Sequence, residues 1–394
     1  MINEERDKNM EIYLDNSATT KPYEEVIEAV CSTMRNYYGN PSSAHSLGFK
    51  AEQKLREMRL NIAKSINASS EEIIFTSGGS ESNNFLIKGF SKLSLNKLTA
   101  NIITTKIEHP SVLNTFKELE NTGIKVTYID VNDNGRIDVE RLIESINKDT
   151  QIVSIMHVNN EVGVVQDIEL IGKLIKEKSS RVKFHVDAVQ SYGKLPIDVQ
   201  KSHIDLLSTS AHKIHGPRGI GFAYIRKGLI PSSLINGGGQ ERNLRSGTEN
   251  LAGIVGFSVA AEIINKNRHE NFNKVLEVKK YFIEKLSKIE DVIINSKLDD
   301  NFTPYILSVS FGGVKGEVLL HSLEEKGIYV STGSACSSKS HKSSEVLAAI
   351  GRTLEQQGGT IRFSFSEYNN KEEIDYVIIE LEKSLKFLRK FYKR

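Results

Sequence analysis

Apolar residues recur along this chain at two spacings. Leu55, Met58, Ile62 and Ile66 fall three and four apart, the interval of one helix face. A strand-like run, Glu-Ile-Ile-Phe-Thr (72–76), follows, and Ser-Gly-Gly-Ser (77–80) then opens a helix through Phe85 and Leu86. Further strand-like runs are Ile102–Thr105, Val126–Ile129, Ile152–His157, Phe184–Val186 and Ile-Asp-Leu-Leu-Ser-Thr-Ser (204–210). Between them lie helical stretches such as Val139–Ile146 and Ile168–Lys176. Strands separated by helices of this length predict an α/β fold, a mostly parallel sheet with helices on both faces. After about residue 265 the order changes. A helix (Val275–Leu286) leads to a strand (Ile306–Phe311), a helix near Glu317–Lys326, a strand (Thr360–Ser364) and a closing helix from Glu372. That pattern predicts a smaller α+β domain. Neither an internal repeat nor a low-complexity linker interrupts the chain.

Length and charge narrow the picture. The chain has 394 residues, enough for a large core in one big domain plus a smaller one. A formal net charge of +2 gives no argument for direct nucleic-acid binding or for an anionic membrane. No apolar run reaches transmembrane length, and Met1 to Met10 is polar, without a signal core. The two cysteines, Cys31 and Cys336, suggest a reduced, cytoplasmic setting rather than a disulfide scaffold. Cys31 sits beside Val30 and Met34 on a helix and is expected to be buried. The basic tail (Lys383, Lys386, Arg389, Lys390, Lys393, Arg394) reads as the solvated, dipole-favoured end of the last helix.

Candidate chemistry gathers at strand ends, where open α/β sheets bind ligands. Lys213 lies in Ser-Ala-His-Lys-Ile-His-Gly-Pro-Arg-Gly (210–219), just past an apolar strand. Desolvation and nearby cations lower an amine's pKa, so such a lysine suits a Schiff base with an aldehyde cofactor, with Ser210 and His212 beside it for a phosphate. The alternative is an ordinary strand-end lysine. Ser77-Gly78-Gly79-Ser80 reads as an anion cradle at a helix start or as a plain turn, and no Walker-type Gly-Lys-Ser/Thr follows. Asp187 ends a strand, fit to hold a protonated ring nitrogen or to cap a helix, and Gln190 follows three residues on. Asn159 and Asn160 end another strand. His109 precedes Pro110, at a helix start, where it can stack on a planar ring, move a proton or serve structure. Cys336 lies in the small, polar stretch 331–344 with Lys339, His341 and Lys342 nearby, the surroundings of a thiolate nucleophile or of an incidental loop thiol. Arg362 alternates with Ile361 and Phe363 and can clamp a carboxylate bidentately or face solvent.

Taken together, these segments resemble the pyridoxal-phosphate-dependent cysteine desulfurases of the NifS/IscS type, within the class V aminotransferases. The resemblance runs from Tyr-Leu-Asp-Asn-Ser-Ala-Thr-Thr (13–20) to Ile-Arg-Phe-Ser-Phe (361–365). It includes Gly-Asn-Pro-Ser-Ser-Ala-His (39–45), His-Val-Asn-Asn-Glu-Val-Gly-Val-Val-Gln (157–166), His-Val-Asp-Ala-Val-Gln-Ser (185–191), Arg-Ser-Gly-Thr-Glu-Asn (245–250) and Gly-Ser-Ala-Cys-Ser-Ser (333–338). It implies a fold-type-I enzyme with a large cofactor-binding domain at 21–265 and a small domain from 1–20 and 266–394.

The resemblance also implies roles. Lys213 carries pyridoxal phosphate, Asp187 pairs with the pyridine nitrogen, and His109 stacks on the ring and assists proton transfer. Asn160 and Gln190 contact the phenolic oxygen side. Gly79, Ser80, Ser210 and His212 hold the phosphate, with Thr248 arriving from the other subunit of a homodimer. Arg362 binds the carboxylate of L-cysteine, with Asn160 nearby, and Cys336 takes the sulfur as a persulfide. L-alanine is released, and the sulfur passes to an acceptor protein, an iron–sulfur scaffold or a tRNA-thiolation enzyme. No metal ligand set is implied. Two departures stand out: Gly79-Ser80 replaces a usual Ala-Thr, and Ser343 replaces a usual proline. Within enzymes, the alternatives are a selenocysteine lyase or an aminotransferase, and the Cys336 stretch argues against transamination.

Overall fold

The computed structural model describes residues 11–91, 100–332 and 343–392. β1 (Ile12–Tyr13) leads into α1 (Glu24–Asn36) and α2 (Ser46–Lys64). β2 (Ile73–Thr76), α3 (Gly79–Ser91), β3 (Asn101–Thr105), α4 (Pro110–Asn121) and β4 (Lys125–Ile129) follow. Next come α5 (Val139–Ser145), β5 (Thr150–Met156), α6 (Ile168–Lys178), β6 (Lys183–Asp187), β7 (Leu206–Ser208) and β8 (Gly221–Ile225). α7 (Leu251–Leu286) carries the chain to β9 (Val292–Ile294), β10 (Ile306–Phe311), α8 (Gly316–Glu324), β11 (Ile328–Tyr329) and β12 (Ser331–Thr332). α9 (Glu345–Ala349), α10 (Leu354–Gly358), β13 (Thr360–Ser364) and α11 (Lys371–Tyr392) close it.

The main sheet has seven strands in the order β2-β8-β7-β6-β5-β3-β4. Neighbours from β7 through β6, β5 and β3 to β4 run parallel; β8 alone is antiparallel to both its neighbours. Strands buried on both faces can be apolar throughout, and β2 and β8 are buried at every position. One face packs α1, α2, α6 and the first half of α7 around Ile62, Phe184, Phe222 and Phe257. The other packs α3 and α4 around Phe85, Ile102 and Phe116. A second, four-stranded antiparallel sheet, β12-β13-β10-β9, is covered by α8, α11 and the second half of α7, with Phe282, Phe311 and Phe363 in its core. The predicted α/β architecture and the change of pattern after about 265 are both present.

Three sequence expectations need correction. The helix expected at Val275–Leu286 is the end of a single 36-residue helix. Its first half is sandwiched between the sheet and α1 and α2, so Leu251, Val255, Phe257 and Ala260 are buried around its circumference and leave no amphipathic stripe to read. Cys31 is exposed, not buried. The inward stripe of α1 is Val26, Val30 and Thr33, and Cys31 lies about 100° round the helix from Val30. Arg389 does not end in solvent: it donates to the Gly312 and Glu290 carbonyls at 3.0 and 2.8 Å, fastening α11 to the second sheet.

Phe282 of α7 meets Phe363 of β13 edge to face, centroids 4.9 Å apart, and is fully buried. Phe282→Ala is expected to cost about 3–5 kcal/mol, because a close-packed site leaves a cavity. Denaturant unfolding reads the effect, and a loss below about 1 kcal/mol would show that the second sheet does not depend on α7.

Candidate active site

The carboxyl ends of the parallel strands and of β2 bring the chemistry together. β2 ends at Thr76, and Ser77-Gly78-Gly79-Ser80 turns directly into α3, so the helix's first N–H groups lack intrahelical partners. A Cβ on Gly79 would lie 2.5 Å from Val189 Cγ2, so glycine lets this turn sit close against the loop after β6, and a side chain here would require Val189 to shift. An open cleft lies there between Gly79, Ser80, Ser210, His212, Thr19 and Arg218. Four of these were expected from sequence; Thr19 and the exposed guanidinium of Arg218 were not. Arg218 sits in Gly-Pro-Arg-Gly, five residues past Lys213, and that spacing was its one visible signal.

Lys213 ends a short 3₁₀ turn, Ala211–Lys213, directly after β7. Its amine donates to the Ser17 carbonyl and, at 2.8 Å, to the Ala18 carbonyl. Gln190 Nε2 donates to the same Ser17 carbonyl at 3.0 Å. Ser17 Oγ and Gln190 Oε1 are buried without a hydrogen-bond partner among the described residues. Next to them Asp187 is buried, with one carboxylate oxygen accepting from Asn83 Nδ2 at 2.8 Å and the other from the Val189 N–H at 3.0 Å.

His109 is the N-cap of α4, with Pro110 at the first helical position. Its Nδ1 accepts from the Ser111 N–H at 3.1 Å, so in the neutral ring the proton lies on Nε2. A polar chain runs from His109 through Ser111 Oγ (2.8 Å) and Asn83 (2.9 Å) to Asp187. Burial pulls the His109 pKa below its ordinary value; Asp187 opposes that shift and Lys213 adds to it. His212, whose Nδ1 lies 3.3 Å from Thr19 Oγ1, is held at about 4 by burial and by Lys213 and Arg218. Both rings are therefore neutral near pH 7.

Arg362 is buried on β13, not solvent-facing. Its Nη1 donates to the Asn160 carbonyl at 2.9 Å and its Nη2 to Asp15 Oδ1 at 2.8 Å. Asn159 is the structural member of the Asn pair: its side chain bonds the Ile107 carbonyl and accepts from the Glu161 and Val162 N–H groups. Thr248 is exposed and lines a cleft with Tyr37, Tyr38 and Asn40; it is not among the residues that line the Ser80–His212 cleft. Cys336 lies outside the described residues. Sequence reasoning missed the roles of Asp15, Ser17, Ala18 and Asn83. The first three lie within a recognised motif but have side chains and carbonyls whose partners are distant in sequence.

The sequence pattern of the aminotransferase class-V family matches residues 12–377, and the chain belongs to that family. Within it, the chain is 43% identical to the cysteine desulfurase IscS of Dictyoglomus turgidum, over 96% of this chain and 95% of that protein. It is also 43% identical to the putative cysteine desulfurase IscS 1 of Bacillus subtilis, over 92% and 95%. Among solved structures, a NifS-like protein superposes with a TM-score of 0.90 at 40% identity, covering 96% of this chain and all of that one. The structure described as SspA in complex with cysteine gives 0.80 at 36% identity, covering 91% of this chain and all of that one.

Behind the site, His185 of β6 lies between Ser154 Oγ (2.8 Å) and Ser208 Oγ (3.0 Å). Burial holds it at about 3, against an ordinary 6.5. As pH falls through 6.5 the unfolded chain takes up this proton and the folded chain does not. The contribution of His185 is therefore complete above 6.5 and declines as pH drops toward about 3. Between pH 7 and 5.5 the loss is about 1 kcal/mol. Denaturation midpoints at those two pH values are expected to differ less in His185→Gln than in the natural chain; equal slopes would refute the assignment.

Proposed function

We propose that the chain is a pyridoxal-phosphate-dependent cysteine desulfurase that converts L-cysteine to L-alanine and leaves the sulfur on Cys336 as a persulfide. The observation that carries this reading is the convergence of Lys213, Asp187 and His109 at the carboxyl edge of the main sheet, where Arg362 of the second sheet bonds the Asn160 carbonyl, beside a glycine-lined cleft at a helix start. The surroundings of Lys213 fit the cofactor. Ser17 Oγ and Gln190 Oε1 are buried polar atoms without hydrogen-bond partners among the described residues, and Gly79 packs closely against Val189. Gly79, Ser80, Ser210 and His212 would hold its phosphate, with Thr248 supplied by the second subunit of a homodimer. The exposure of Thr248 supports that last role.

Bound pyridoxal phosphate supplies an electron sink for the substrate carbon that loses a proton. Lys213 would hold the cofactor's aldehyde carbon, and its amine would take the proton from the substrate α-carbon. Asp187 would pair with the cofactor's ring nitrogen. Gln190 and Asn160 would contact its phenolic oxygen side, and His109 would stack on the ring and carry protons at Nε2. Arg362 holds the substrate α-carboxylate. The Cys336 thiolate attacks the substrate sulfur: a sulfur–sulfur bond forms, the Cβ–S bond breaks, and Cβ gains a proton. L-Cysteine and a thiol thus become L-alanine and a persulfide, with atoms and electrons in balance.

The division into a large unit, 21–265, and a small unit, 1–20 with 266–394, is part of the same reading. It is supported by the packing of Ile12 and Leu14 with β10 and β13, although residue 265 falls inside α7. No helix among the described residues is long and apolar enough to cross a membrane, in keeping with a cytoplasmic enzyme. The acceptor would be an iron–sulfur scaffold or a tRNA-thiolation enzyme, reached without direct nucleic-acid binding.

Lys213→Ala is expected to abolish alanine formation and to leave no borohydride-reducible cofactor linkage; near-normal turnover would sink the assignment. After L-cysteine treatment, mass spectrometry is expected to find one added sulfur on the Cys336 peptide and none on the Cys31 peptide. Because Cys31 is itself exposed, its failure to react would reflect distance from the cleft rather than burial. An added sulfur on Cys31 alone would refute the mechanism.

A further inference from the structure

Arg362 is 3% exposed, yet its guanidinium is already in use. One nitrogen is held by the Asn160 carbonyl and another by the Asp15 carboxylate, while Nε is buried with no partner among the described residues. An arginine has five N–H donors in a rigid fork, so two contacts leave an edge for one more acceptor. Any carboxylate that docks on that edge meets a cation whose charge is already partly met.

Two acids lie near this guanidinium, and they are not equivalent. Glu161 is pushed up to about 7 by burial, with Arg362 opposing, and its Oε2 accepts from Ser344 Oγ at 2.6 Å rather than from arginine. Asp15 makes the direct charge-assisted bond, 2.8 Å from Nη2, with its side chain 21% exposed. Its position is fixed by backbone. Asp15 bridges to Ser364, two residues beyond Arg362, and the N–H groups of Asn16 and Ser17 donate to the Ser364 carbonyl and Oγ at 3.3 and 2.8 Å. The carboxylate therefore does not drift away from the arginine as an exposed surface pair would.

We propose that Asp15 is a positioning residue, a resident counter-ion that holds the Arg362 guanidinium against the Asn160 carbonyl, presents its Nε edge, and keeps its affinity for an incoming α-carboxylate low. The inference rests on the reading of Arg362 as the carboxylate site and deepens it. Its physical sense lies in turnover. L-Cysteine and L-alanine carry the same α-carboxylate, so tight binding of that group would hold product as firmly as substrate and add nothing to the chemical step.

The test uses the cofactor-loaded enzyme and steady-state alanine formation. Asp15→Asn keeps the shape and an oxygen acceptor but removes the charge. Its KM for L-cysteine and its inhibition constant for L-alanine are expected to fall together by about tenfold, the factor that about 1.4 kcal/mol supplies, and by more than kcat changes. Asp15→Glu, which restores the charge, is expected to bring both constants back toward those of the natural chain. Should Asp15→Asn fail to fold or to bind cofactor, Asp15→Ser gives the same comparison. Constants that rise or stay put in the neutral variants, with the cofactor absorbance intact, overturn the proposal. Arg362→Lys separates the two layers: a normal KM in that variant removes the carboxylate site itself, and the role of Asp15 with it. A raised KM there, with no response to neutral Asp15 variants, removes the role of Asp15 alone.

Discussion

The segment Asp15–Thr20 is the strap on which the site depends. Its backbone carbonyls at Ser17 and Ala18 take the Lys213 amine, and Ser17 also takes Gln190. Its Asp15 carboxylate takes Arg362, and Asn16 and Ser17 bond Ser364. At its far end, Thr20 bonds the His212 carbonyl through both its N–H and its hydroxyl. One stretch of chain thus ties the turn after β7 to β13 of the other sheet. A buried amine or guanidinium left without acceptors pays a desolvation cost of several kcal/mol, so each of these contacts constrains where the others sit.

The strap works because two rigid bodies hold it from either side. The parallel strands end on one edge: Asp187 is the last residue of β6, and His109, Asn160 and Lys213 follow the ends of β3, β5 and β7 by four or five residues. α7 is the mechanical link between the sheets: buried against the main sheet over its first half, it presents Val275, Val278 and Phe282 to β10 and β13 over its second. A continuous helix of this length resists bending, so the spacing between Lys213 and Arg362 is set by packed cores and not by loops alone.

Electrostatics divide the site into charged and neutral groups. Asp187 and Arg362 have their charges met by hydrogen bonds. The imidazoles of His109, His185 and His212 are held neutral by burial. Glu108, whose Oε1 accepts from Thr105 and from the Met156 N–H, is pushed up to about 8 by burial, so near pH 7 it adds little negative charge beside Asp187. In the cleft at the start of α3, Arg218 and the first N–H groups of the helix suit an anion, while the Glu81 carboxylate on the same lining is paired with Arg245.

Much of this was legible from the chain itself. Periodicity and turn chemistry are local, so β2, β6, β10 and β13, the turn into α3, and the candidate residues Lys213, Asp187, His109 and Arg362 could be read without coordinates. The direction of β8 was not readable, because an apolar run looks alike in parallel and antiparallel neighbours. The exposure of Cys31 depended on which face of α1 met α7. Above all, partner choice was hidden. Arg362 lies 347 positions from Asp15 and 202 from the Asn160 carbonyl, and Asn83 lies 104 from Asp187. The sequence determined which chemical groups would stand at the strand ends. Only the tertiary structure decided which of them meet, because hydrogen-bond partners are chosen by distance and angle in space, and neither is encoded in local spacing.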